Sequence, residues 1–337
     1  MCTQAQDSFK QTCRSPATRQ LQRWRDIHAS SKFIQTDLSK IQITQTWRTQ
    51  TQKIKDREPR TDHVVRNCSL LPSSVFSVGR SVFGVFLWRY PVKSMRGEEL
   101  NEIFAGYAGV YGDRLFAFES SGSSKGFPFF TGRDQRQMIR YRPRFRDPEK
   151  AAQPLNRAEA EQSNANPISA KPDELMIDVE APDGKTFAID DPALICHLRA
   201  GIDPKHKLEL IRSEKAITDC RPISIFAVQS AKKLGEEAGV DVDKRRFRAN
   251  VYVDLRSAEG FEENGFVGRS LRIGPKVVVA ILERDPRCMM ITLDPDTAEK
   301  TPAILKKVAQ AHEGFAGVYG AVLAEGMVHK GDSIEWL

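Results

Sequence analysis

The sequence predicts a mainly β protein with some α, an α+β chain built around barrels. Three observations lead there. Short runs rich in β-branched and aromatic residues recur from about residue 84 to the end. Gly-, Ser- and Pro-rich breaks separate them at hairpin-like spacing. Only a few stretches carry a helical period. Many short strands with few helices are what closed or partly closed sheets look like in sequence.

Taken in order, "VFLWRYPVKS" (85–94) reads as a strand ending at Pro91, because proline cannot donate to a sheet ladder. "RLFAFES" and "PFFTG" read as two further strands with the turn-rich "SSGSSKG" between them. Residues 140–173 are Pro-rich and polar and read as a long loop. "ELMIDVEAPDGKTFAID" alternates on both sides of Asp183-Gly184, a strong hairpin signal. "DPALICHLRAG" fits a short helix closing this first unit, 84–205. A second unit, 206–337, opens with "ISIFAVQSAKKLGEEAG", read as one helix stopped by Gly239. "RRFRANVYVDL" follows as a strand with Arg248 and Asn250 on one face, and "SLRIGPKVVVAILER" as two strands about a Gly-Pro turn. "KTPAILKKVAQAHEG" is a helix with Thr301 as N-cap, Pro302 at the first turn and Gly314 as stop. "VYGAVLAEGMVHKGDSIEWL" supplies two short closing strands. "GYAGVYG" (106–112) and "GFAGVYG" (314–320) read as two Gly-rich β corners, since neither has the strand-then-helix context of a dinucleotide loop.

Charge separates the beginning of the chain from the rest. Residues 1–80 hold 14 Lys and Arg against 6 Asp and Glu, leaving 37 against 38 for the remainder. The basicity of the whole chain (+7) therefore belongs to the leader, and no nucleic-acid partner is expected for the core. Residues 1–80, rich in Gln, Thr and Ser without sustained periodicity, read as a disordered leader or a segment upstream of the natural start. No stretch reaches the roughly 18 apolar residues of a membrane span. The six cysteines are Cys2, Cys13, Cys68, Cys196, Cys220 and Cys288, with no C-x-x-C pair. They suggest free thiols in a reducing, cytoplasmic setting.

One thiol is placed oddly. In "KVVVAILERDPRCMMITLDPDT", Cys288 follows a strand and lies beside Arg284 and Arg287. Nearby cations favour the thiolate, a nucleophile and a soft-metal ligand. Lys93 and Ser94 at a strand end, Arg114 in "GDR", and Arg248 and Asn250 in "RRFRAN" are phosphate-binding and hydrogen-bonding groups. Singly each is an ordinary surface residue. Together they describe a site for a phosphorylated ligand near one sulfur.

"LWRYPVKSMRGEEL", "YGDRLFAF", "FFTGRDQ", "RRFRANVYVD", "RDPRCMMITLDPDT" and "GAVLAEGMVHKGDSIEWL" together resemble the MOSC family, named for the C-terminal domain of molybdenum-cofactor sulfurase. The first three also resemble the N-terminal β-barrel domain that precedes MOSC in its amidoxime-reducing branch. The resemblance spans roughly residues 84–337 and implies an N-terminal MOSC-type β-barrel followed by a MOSC barrel with flanking helices. It also implies a molybdenum cofactor, Mo-molybdopterin, with Cys288 as metal ligand and catalytic residue. Pro286 and Arg287 would line the cofactor. Lys93, Ser94, Arg114, Arg248 and Asn250 would contact the pterin or its phosphate, and Tyr319 would stand near the site. Two departures are visible. Ala249 replaces a proline, and Phe226 and Ala227 occupy a stretch where a small hydroxyl is usual, leaving Ser224 as substitute. The implied activity is reduction of N-hydroxylated compounds of amidoxime or hydroxylamine type. A non-catalytic cofactor carrier and a sulfur carrier are the alternatives. Clustered cysteines for an iron–sulfur centre are absent from the sequence. An external electron donor of ferredoxin or flavin-reductase type is therefore expected.

Overall fold

The runs of Val, Ile and Phe become strands because one or both of their faces find a core. The computed structural model describes residues 82–124, 126–154, 175–203, 206–255 and 259–337. The expected leader, 1–80, lies outside them, as do Cys2, Cys13, Cys68 and residues 155–174 of the expected long loop. The largest assembly is a curled, eight-stranded half-barrel. Its members are β1 (Val82–Arg89), β2 (Glu98–Leu100), β11 (Ile223–Ala227), β12 (Val251–Leu255), β13 (Ser270–Ile273), β14 (Val277–Pro286), β15 (Phe315–Ala324) and β17 (Ile334–Trp336). Their order is β17-β13-β14-β15-β11-β12-β1-β2.

Alternation fixes the register of these strands. Val277, Val279 and Ile281 of β14 point into the same core as Val85, Leu87, Val251, Val253, Val318 and Val322. A one-residue slip would turn each of these outward, at roughly 1.5–3 kcal/mol per aliphatic side chain. On the other side of β11 and β12, Phe226 and Tyr252 pack under two helices, α2 (Val228–Ala238) and α3 (Pro302–Ala311), whose Ala231, Leu234, Ile304 and Val308 face them.

The remaining strands form three small sheets. β5 (Phe116–Ser124) lies between β10 (Leu208–Arg212) and β6 (Phe127–Phe130). β3 (Glu102–Gly106) lies between β16 (Gly326–His329) and β4 (Gly109–Val110). β8 (Ile177–Glu180) lies between β7 (Arg142–Phe145) and β9 (Thr186–Ala188). Phe116, Phe118, Phe130, Tyr141, Ile177, Val179 and Leu194, the last on the short helix α1 (Pro192–Leu198), share a second core. Among the described residues no helix is long and apolar enough to cross a membrane.

Several expectations need correction. Residues 223–227 are a strand, and the helix begins only at Val228. Every residue of that strand is buried, so no in–out alternation shows in the sequence. Residues 142–145, inside the expected loop, pair with β8, Arg142 and Arg144 pointing out while Pro143 and Phe145 point in. Arg248 and Asn250 precede β12 rather than sharing a strand face. Residues 315–336 carry three strands, not two. Strand pairing also cuts across residues 205/206. β1 is inserted in the large sheet, β10 completes the β5–β6 sheet, and β16 pairs with β3. The Asp183-Gly184 hairpin forms as expected, with Gly184 at φ 86.

Candidate functional site

Three turns and one strand end converge on a cleft of about 710 Å³, its open mouth included. Lys93 follows β1, and its amide donates to the Phe116 carbonyl at 2.8 Å. The chain then turns at Ser94. Arg114 lies in the turn before β5, and Arg248 closes the single helical turn 244–247. Among the described residues six non-glycine residues have left-handed φ. Three of them are Ser94 (64°), Arg114 (45°) and Arg248 (55°), all lining this cleft. Such strain persists only where the surroundings over-determine it, and it gathers at functional sites.

The surroundings here are aromatic and cationic. The Arg114 and Arg248 guanidiniums stand 4.7 and 4.4 Å from the centre of the Tyr90 ring. Tyr90 is itself buried and in hydroxyl contact with Tyr252 at 3.2 Å. Arg114 Nη2 donates to the Arg248 carbonyl at 2.8 Å, and Nη1 pairs with buried Asp113. Arg248 Nη1 donates to the Met95 carbonyl at 2.7 Å. Its Nη2 is buried and makes no hydrogen bond among the described residues, and the same is true of Arg246 Nε. Burial lowers the pKa of Arg248 to about 10. Lys93 Nζ donates to the Ile217 carbonyl at 2.9 Å and is paired with Asp219. Burial pulls its pKa down against that carboxylate.

The strand end brings the sulfur. β14 is bulged against β15 near Glu283 and Arg284, and beyond the bulge Asp285 is buried on the same parity as Val277, Val279 and Ile281. Asp285 Oδ2 lies 2.6 Å from Arg287 Nη2. Burial nevertheless raises its pKa to about 7. Arg287 also donates through Nε to the Ala316 carbonyl and through Nη1 to the Phe247 carbonyl. Cys288 follows in extended backbone, half-buried and facing the cleft as a free thiol.

Eight of the nine expected residues line the cleft: Lys93, Ser94, Arg114, Arg248, Pro286, Arg287, Cys288 and Tyr319. Asn250 stands behind it. Its Oδ1 accepts from the Ser224 amide and hydroxyl, both at 3.3 Å, and Ser224 faces the cleft. Phe226 is core, stacked on Phe247. Ala249 uses its amide to donate to the Tyr252 hydroxyl at 3.1 Å, a bond a proline could not make. Arg284 is turned away and pairs with Glu313 at 3.2 Å, so the cation beside Cys288 in the chain is Arg287 alone. Sequence reasoning missed Asp219, Arg246, Arg133 and Asp285 as lining residues. Asp285 left a trace, a charge on the inward parity of a buried strand. Arg133 and Arg246 lay inside the quoted "FFTGRDQ" and "RRFRAN" without being singled out, and Asp219 left no trace because long-range packing brings it in. Six cations (Lys93, Arg114, Arg133, Arg246, Arg248, Arg287) face two carboxylates, Asp219 and Asp285, so the cleft favours an anion. Among the described residues no three His, Cys, Asp or Glu side chains are grouped to hold a metal ion.

Residues 212–335 match the family model of the MOSC domain. No curated protein matches the chain. Among solved structures, the YuaD protein of Bacillus subtilis is similar at 14% identity and TM-score 0.36, over 75% of this chain and 93% of that one. YiiM from Geobacillus stearothermophilus is similar at 18% identity and TM-score 0.28, over 35% of this chain and 54% of its own. YiiM from Escherichia coli gives 18% and 0.26 over the same shares. The matched span carries Arg246, Arg248, Arg287, Cys288 and Tyr319, so the cleft's sulfur and three of its guanidiniums fall within the part of the chain that is similar to MOSC domains.

Proposed function

We propose that the chain holds a molybdenum–pterin cofactor in the Cys288 cleft and reduces N-hydroxylated compounds of amidoxime or hydroxylamine type. Electrons would come from a separate donor, and a cytoplasmic location belongs to the same proposal. The supporting observation is that one free thiol shares a cleft with guanidiniums whose donors are not all committed. These residues fit such a group. Arg248 Nη2 and Arg246 Nε are buried donors lacking acceptors, and a phosphate oxygen supplies one. A single cysteine suits a metal that arrives with sulfur ligands on an organic carrier. When bound, the cofactor would supply the two-electron chemistry that removes oxygen from nitrogen as water.

The protein's own part is binding and orientation. Cys288 gives the soft thiolate ligand. Arg114 and Arg248, fixed over Tyr90, hold the anionic end. Arg287, held by two carbonyls and Asp285, fixes the chain just before Cys288. Burial and the nearby Asp285 charge raise the pKa of Tyr319, so its hydroxyl keeps its proton in the cleft. Asn250 acts at one remove by orienting Ser224.

Turnover of benzamidoxime by cofactor-loaded protein, with dithionite-reduced methyl viologen as electron source, tests this. Wild type should release benzamidine, and Cys288→Ala should lose at least 100-fold in rate. Bound molybdenum without turnover would instead make the protein a carrier. A labelled persulfide on Cys288 in metal-free protein would make it a sulfur carrier.

A further inference from the structure

Residues 131–146, "TGRDQRQMIRYRPRFR", hold six arginines and one aspartate, while everything after residue 80 is nearly balanced in charge. The stretch starts at the lip of the cleft, where Thr131 and Arg133 are lining residues. Gly132 is so close to the turn after Cys288 that an added Cβ would sit 2.9 Å from the Met290 sulfur. Its backbone is anchored by buried Met138, Ile139, Tyr141 and Phe145, and β7 is paired with β8. Asp134 is committed to the Thr131 amide at 2.9 Å. Arg142 and Arg146 are balanced by Glu180 and Asp178 at 3.5 and 2.7 Å.

The other four carry the excess. Arg136 and Arg144 are exposed and have no partner among the described residues. Arg140 donates only to neutral Gln137, and Arg133 is 3.9 Å from an Asp219 already paired with Lys93.

We propose that this arginine stretch is the docking surface for the electron donor, and that the donor is a small redox protein with an acidic face. The inference rests on the function proposed above, which requires electrons from outside. The positive charge is concentrated on a fixed stretch that begins at the redox cleft. Transient redox encounters bury less than about 1,200 Å², a footprint that a few guanidiniums can rim. Complementary charge raises the encounter rate and orients the partner. In the step served, the donor is oxidised by two electrons, delivered one at a time by a one-electron carrier. The substrate N–O bond breaks, and with two protons from solvent the oxygen leaves as water and the nitrogen gains hydrogen.

The test uses the full chain loaded with cofactor and the double variant R136E/R144E. Turnover of benzamidoxime is compared with two reductants, methyl viologen and a reduced acidic [2Fe–2S] ferredoxin. The variant should keep its viologen rate and lose at least tenfold in kcat/KM for the ferredoxin. The wild-type ferredoxin rate should fall with added salt while the viologen rate holds. Equal loss with both reductants, or no loss with either, overturns the proposal. So does a wild type that accepts electrons from viologen but not from the ferredoxin. Ferredoxin affinity, measured without turnover, separates the two claims. If viologen supports no turnover, the proposed function fails, yet a tenfold weaker ferredoxin Kd in the variant still upholds the surface. The neutral pair R136Q/R144Q serves if charge reversal impairs folding. Binding of wild type to phosphatidylserine vesicles, with ferredoxin affinity unchanged by the variant, would assign the stretch to a membrane and contradict the proposal.

Discussion

Tyr90 and Glu263 show how much single buried side chains decide. Tyr90 supports both Arg114 and Arg248 through its ring face. Each cation–π contact is worth about 0.5–2 kcal/mol. Tyr90→Phe should keep cofactor content near wild type, whereas Tyr90→Leu should lower affinity roughly 5- to 100-fold, read as phosphate or cofactor retained after gel filtration. Glu263 is fully buried, its Oε2 accepting from the Ser230 hydroxyl at 2.7 Å and its Oε1 unpartnered among the described residues. Burial raises its pKa to about 7. A raised carboxyl contributes stability that is complete below its ordinary range near 4.5 and lost as pH rises through about 7. Glu263→Gln, which keeps the shape and removes the charge, should therefore gain on wild type between pH 5 and pH 8, by roughly 1–3 kcal/mol. Equal denaturation midpoints at both pH values would show that no proton is taken up there.

Caps and bulges govern the elements. The Asp191 carboxylate accepts from the Ala193 amide at 2.8 Å and caps α1, whereas Thr301 occupies the cap position of α3 without a capping bond. Asp191→Ala should cost about 1 kcal/mol, and Thr301→Ala less than about 0.5, both from urea denaturation. The sequence shows capping residues, but whether a side chain turns back onto its helix depends on local φ and ψ. Gly317 sits at φ 82 in β15, and a Cβ there would come within 3.0 Å of both the Ile225 carbonyl and Arg287 Nη2. Gly317→Ala should cost about 1–3 kcal/mol, a fall in Tm of several degrees, and displace Arg287 from the cleft. The repeated "AGVYG" marked this corner in sequence without revealing what approaches it. Residues 223–227 read as helix because a strand buried on both faces lacks the alternation that marks half-buried ones.

Across the whole molecule, local pattern identified strands and chain order hid their partners. Nothing in residues 82–89 announces that they pair with 251–255, or that 208–212 pair with 116–120. That interleaving brings Lys93, Ser94 and Arg114 into one cleft with Arg248, Arg287 and Cys288. The resemblance named eight of its lining residues, seven in motifs at a turn or strand end and Tyr319 within β15. The partners that tether them, Asp219, Asp285 and Tyr90, needed the fold. The central claim is that Cys288 and the guanidiniums of this cleft grip one molybdenum-bearing anion. Its most direct test is molybdenum content after production in a cofactor-competent host, comparing wild type, Cys288→Ala and Arg248→Gln. Wild type should carry close to one metal per chain, Cys288→Ala should lose nearly all of it, and Arg248→Gln should retain a reduced share. Equal molybdenum in all three, or none in wild type, would contradict the account.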